Sequence, residues 1–121
     1  MNKNVINQEI KVAYDALKES GIADSNNTIV KTFRGQISTF GAAVSMGSLL
    51  PAIAFFSEKG GSDVDRAKLL DAIIKILQNT NKTKEKNLYD YVLNNPEDEC
   101  KEEILNAAIA LKLSMNLYKL V

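Results

Sequence analysis

From Gly35 to Ser57 the chain carries no charged residue, a run of 23 positions bounded by Arg34 and Glu58. Roughly 20 predominantly apolar residues suffice to cross the hydrocarbon layer of a bilayer. A run of this length is therefore either a membrane span or core-facing helix. Gln36, Ser38, Thr39, Ser45, Ser48 and Ser57 dilute it. Gly47 and Ser48 followed by Pro51 read as a helix restart, with the Ser48 side chain accepting from amides of the new first turn and Pro51 inside that turn. The flanks lack the Lys/Arg asymmetry that orients a transmembrane helix. The expectation is two core helices of a soluble bundle, with no membrane partner.

The length of 121 residues suits one domain spanning positions 1–121 and can bury a core without staples. Lys and Arg total 15, as do Asp and Glu. With no net charge, the chain has no global field to attract nucleic acid unaided. It remains suited to a subunit that shares a nucleic acid with stronger partners. Histidine is absent and Cys100 is the one cysteine, so no Cys/His metal site can be built and the commonest general base is missing. No cofactor is expected. A lone thiol points to a reducing compartment, and the N-terminus has no secretory apolar region. The expected location is the cytoplasm.

Apolar spacing predicts helices throughout. The first covers residues 4–20, with Ile6, Ile10, Ala13, Tyr14 and Leu17 on one face and Gly21 as its stop. Ser25, Asn26 and Asn27 offer caps for a second, whose stripe is Ile29, Phe33, Ile37, Phe40 and Val44. A third runs from Leu49 to Glu58 and ends at Lys59, Gly60 and Gly61. Ser62 and Asp63 cap a fourth, which buries Ala67, Leu70, Ile73, Ile74 and Leu77. A short fifth contains Leu88, Tyr91 and Val92. A sixth starts with Asn95 as cap and Pro96 at its first position, and continues to about Lys119. It bears two stripes, Ile104, Ala108, Leu111, Met115 and Tyr118, and Leu105, Ile109, Leu113, Leu117 and Leu120. Such a helix is central or partly covered by a partner. No strand pattern is evident. The expected fold is an all-α, single compact bundle of five to six helices.

No nucleophile–base pair stands out, and the glycines lack the spacing of a phosphate loop. Asp63 with Asp65, and Glu97 with Asp98 and Glu99, sit at helix starts, where compensation of the helix dipole accounts for them. The expectation is a non-enzyme. Among the basic residues, Lys31 and Arg34 share a face early in the second helix, away from its apolar stripe. Lys59 closes the third helix, and Lys82, Lys84 and Lys86 cluster near a polar loop. Solvated surface charge explains each singly, yet phosphate contacts need only a few such groups at the right spacing. Arg34 is the most suggestive, since a guanidinium fork on a rigid helix suits phosphate oxygens.

The segment from Phe33 to Gly60 resembles the small α-helical subunit of the type III-B CRISPR (Cmr) RNA-targeting complex. That family has an aromatic–Arg pair opening a helix, an apolar helix, a restart, and an Ala–aliphatic–Ala–Phe segment ending in Lys–Gly. Phe33 and Arg34, Leu49, Ala52 to Phe55, and Lys59 with Gly60 match in order and spacing. Ala13 with Tyr14 and the long last helix also fit. The chain departs from the family in having Ser38 and Thr39 where a Lys pair is usual, Gly41 for Pro and Ser48 for Gly, and its last helix lacks the usual Trp and basic ending. The resemblance implies a non-catalytic building block, stacked in several copies beside the backbone subunits that hold the guide RNA. The row of copies lines the channel where target RNA pairs. Its contacts are with nucleic-acid backbone and shape, while base pairing supplies sequence. Lys31, Arg34 and Lys59 are the expected RNA-contacting residues. Two other readings stand beside this one: the equivalent small subunit of a type III-A complex, and a helical protein–protein adaptor unrelated to nucleic acid.

Overall fold

Asn2 begins the first helix by accepting from the amides of Asn4 and Val5 with its side-chain oxygen. The computed structural model describes residues 2–121. Its elements are α1 (Lys3–Glu19), β1 (Thr28–Ile29), α2 (Thr32–Met46), α3 (Leu49–Phe56), α4 (Ala67–Asn79), α5 (Leu88–Leu93), α6 (Glu97–Met115) and β2 (Lys119–Leu120). The fold is helical, and one cluster of buried side chains runs from Ile6 to Tyr118. No described helix is long and apolar enough to cross a membrane. The charge-free run divides at Gly47 and Ser48 into α2 and α3, as its interruptions predict.

The axis of the bundle is α6, which packs on α1, α2, α4 and α5. Ala107, Ala108, Ala110 and Ser114 are buried along it and let neighbouring backbones approach closely. Three polar contacts fasten its seam with α1. Asn106 Oδ1 accepts from the Asn2 amide at 3.0 Å, Ser114 Oγ donates to the Ile10 carbonyl at 2.8 Å, and Tyr118 donates to the Tyr14 carbonyl at 2.7 Å. The rings of Tyr14 and Tyr118 stack with centroids 4.5 Å apart. The stripe from Ile104 to Tyr118 is buried. The other stripe is not: Leu105 and Ile109 are half-buried, while Leu113 and Leu117 are exposed.

Several local expectations are corrected. Ser25, Asn26 and Asn27 do not cap α2. They form a turn organised by Asp24, whose carboxylate accepts from the amides of Asn26 and Thr28 and from the Thr28 hydroxyl. These bonds, chiefly from Thr28, hold the Asp24 carboxyl below its ordinary range. Ile29 is buried as its place in the stripe requires, but in a strand. The last helix stops at Met115, and the segment beyond it turns back as β2, parallel to β1, with Thr28 opposite Lys119 and Ile29 opposite Leu120. Each of these short segments has unpaired backbone groups, and pairing satisfies both.

Ser48 precedes α3 but its side chain makes no cap bond. The fourth helix starts at Ala67 rather than at Ser62 and Asp63, with Asp65 accepting from the Ala67 amide at 3.1 Å. Ala67 is half-buried, and Leu69 takes a core position instead. Pro96 itself is the cap residue of α6, and Asn95 donates to the Tyr91 carbonyl.

Candidate nucleic-acid interface

The β1–β2 pair fixes where α2 begins. The Val121 amide donates to the Ile29 carbonyl, and the Lys31 amide donates to the Val121 carbonyl, both at 2.9 Å. Lys31 is thus the cap residue of α2, held by backbone with its side chain exposed. The first turn of α2 contains no acidic residue. Arg34 lies in that turn, half-buried, and its Nε donates to Asn116 Oδ1 at 3.0 Å. That bond ties the start of α2 to the end of α6 and uses none of the terminal Nη donors.

Helical spacing gives α2 three distinct faces. Phe33, Ile37, Phe40 and Val44 enter the core. On the side toward α6, Ser38, Gly41 and Ala42 line a groove with Leu105, Ile109 and Lys112. On the side toward α3, Thr32, Gly35, Gln36 and Thr39 line another with Phe55, Phe56 and Arg66. The hairpin of α2 and α3 is locked by Phe40 against Phe56, edge to face at 5.2 Å.

Lys59 is exposed on the loop between α3 and α4 and lines a cleft with Val30, Phe33 and Val121. The fold therefore brings all three expected residues, Lys31, Arg34 and Lys59, to the same end of the α2–α3 hairpin. Their surroundings differ. The Lys59 cleft also holds Lys68 and the carboxylates of Asp24, Asp63 and Asp65. Three carboxylates against two ammonium groups disfavour a phosphate inside that cleft. The start of α2, with two cations and no carboxylate in its first turn, is the more favourable approach for an anion.

Lys82, Lys84 and Lys86 belong elsewhere. They follow the C-terminal end of α4, a helix that is about 20 Å long at 1.5 Å per residue, whereas Lys59 and Lys68 flank its start. Lys82 is moreover engaged inward, 3.0 Å from Glu103 and 4.0 Å from Glu9.

Arg66 had no signal in the sequence beyond its charge. Its Nε donates to the Glu58 carbonyl at 2.9 Å and its Nη2 to the Phe55 carbonyl at 2.8 Å, so it closes the C-terminal end of α3. Its guanidinium lies over the Phe55 ring, 4.1 Å from the centroid. Gly60 makes room for it: φ there is +74°, and a Cβ would stand 2.8 Å from Arg66 Nη1. The Lys59–Gly60 pair thus ends a helix and also seats an arginine.

Among the described residues, no group of three or more acidic or cysteine side chains is placed to hold a metal ion. A groove between α3, α4 and α5 is lined by Asp71, Asp90, Ser57 and Tyr89. Burial raises the Asp71 carboxyl above its ordinary range. Cys100 is buried, and burial pushes its thiol up as well, which keeps it in the unreactive protonated form. No family model, no curated protein and no solved structure matches this chain.

Proposed function

We propose that this chain is a non-catalytic structural subunit of a type III-B CRISPR RNA-guided effector complex. Copies of it stack beside the backbone subunits and touch the backbone of guide and target RNA in the cytoplasm. The carrying observation is that the family-like pattern from Phe33 to Gly60 falls on one structural unit, the α2–α3 hairpin, whose basic members collect at one end. Lys31 and Arg34 supply the phosphate contacts at the start of α2, and Lys59 stands at the rim of the neighbouring cleft. Base pairing between guide and target carries the sequence information. The equivalent subunit of a type III-A complex would make the same use of this hairpin.

The adaptor reading draws on a different observation. Leu113 and Leu117 leave part of α6 apolar and exposed, which suits a protein partner with or without RNA.

Target-RNA binding by the assembled complex separates the two. Replacing Lys31, Arg34 and Lys59 together by Gln should reduce the slope of log affinity against log salt by roughly 2, at about 0.7 per lost phosphate contact on a single strand. An unchanged slope would mean that these are solvated surface charges and would favour the adaptor.

A further inference from the structure

The groove between α2 and α3 contains an arrangement that phosphate contact does not use. Phe55 is 60% exposed, although its neighbour Phe56 is buried. The Arg66 guanidinium covers it at 4.1 Å and is itself pinned by two backbone carbonyls. The two planar groups form a rigid stack at the wall of a groove of about 420 Å³. The opposite wall is Thr32, Gly35, Gln36 and Thr39, with no side chain at Gly35 to fill the space. Arg66 is the only charged group in the lining, so the groove carries no carboxylate. Gln36 donates through Nε2 to Ser62, but its Oε1 is buried without a donor.

We propose that this groove receives an unstacked base of single-stranded RNA. The inference rests on the RNA-contacting function above and adds a base-stacking site to it. A base extends the Phe55–Arg66 stack through its π face, as aromatic platforms and guanidinium planes do in single-strand recognition. The unpaired Gln36 oxygen accepts an N–H from the base edge, which an apolar side chain of a protein partner could not supply. Phosphates on either side of the base have cations within reach of the same end of the hairpin. The Lys31 carbonyl accepts from the Gly35 amide, one turn above the groove, and Lys59 follows Glu58, whose carbonyl Arg66 holds. Stacking tolerates every base, so the site anchors a strand without reading its sequence.

The test uses the purified full chain with a short end-labelled oligouridylate and with an abasic ribose-phosphate oligomer of equal length. Wild type should bind the uridylate roughly tenfold more tightly than the abasic strand. Phe55→Leu should lose that preference while binding the abasic strand as wild type does, and Phe55→Tyr should keep it. Equal affinity of wild type for both strands, no binding of either, or a Phe55→Leu protein that retains the preference would each overturn the proposal. So would a Phe55→Leu protein that loses only a protein contact within the complex, since the groove would then be a protein-docking site. Loss of the base preference while guide RNA still co-purifies removes the stacking site alone. Loss of both removes the subunit assignment with it.

Discussion

Glu9→Gln should flatten the pH dependence of stability between about pH 5 and pH 8. Glu9 lies on the buried face of α1 with 1% of its side chain exposed, and neither carboxylate oxygen has a hydrogen-bond donor. Burial pushes its carboxyl up to about 7; Lys82 opposes the shift and Glu103 adds to it. Lys82, from the loop after α4, sits closer to Glu103 on α6 than to Glu9, so it offsets little of the desolvation. The folded state therefore holds a proton on Glu9 that the unfolded chain has already released. Stability is fully present below the unfolded value of 4.5 and declines as pH rises to about 7. A shift of that size corresponds to about 3 kcal/mol, at 1.36 kcal/mol per unit. Gln has nearly the same shape and cannot ionise, so its denaturation midpoint should stay level where wild type falls. A buried amide lacking partners adds an offset that is the same at every pH, so the slope is the diagnostic quantity. Parallel slopes for the two proteins would show that Glu9 is paired or hydrated in solution.

Phe40→Ala should be the most damaging single change in the α2–α3 hairpin. Phe40 is fully buried and meets Phe56 edge to face. Truncating a buried Phe to Ala typically costs about 3–5 kcal/mol, through lost transfer energy and the cavity left behind. Phe55→Leu, one helix away but exposed, should stay within about 0.5 kcal/mol of wild type. Urea denaturation midpoints of the two variants make the comparison. Similar costs would mean that the hairpin is not held by its Phe40–Phe56 contact. The contrast also matters for RNA binding. Phe55→Leu can be read there as a change of surface, because the hairpin carrying Lys31, Arg34 and Lys59 stays folded.

The helices were legible because their apolar spacing is regular. The break in the charge-free run was legible because Gly47, Ser48 and Pro51 punctuate it. The strands were not. Ile29 continues the α2 stripe by number, and Tyr118 continues the α6 stripe, so periodicity extended both helices through residues that fold otherwise. What ends α6 is pairing between segments about 90 residues apart, Thr28 with Lys119 and Ile29 with Leu120, which no local window contains. Capping was misplaced for a related reason. Asn and Ser side chains satisfy either helix amides or turn amides, and Asp24 supplied a competing turn before α2.

The candidate site divides in the same way. Lys31, Arg34 and Lys59 were legible as basic residues bordering an apolar run. Their convergence on one end of the hairpin follows from the tight α2–α3 reversal at Gly47 and Ser48. Arg66 was not legible, because its partners are carbonyls of Phe55 and Glu58 and a ring that only the folded loop brings near. Glu9 was overlooked since a carboxylate does not read as core. Its position three after Ile6 and four before Ala13 nevertheless places it on the buried face.

The central claim is membership in an RNA-guided complex, and affinity purification from the native cell tests it most directly. Tagged protein, captured at low salt, should bring down backbone subunits, the large CRISPR subunit and short guide RNAs with repeat-derived ends. Recovery of the chain alone, or with protein partners and no guide RNA, would contradict that assignment.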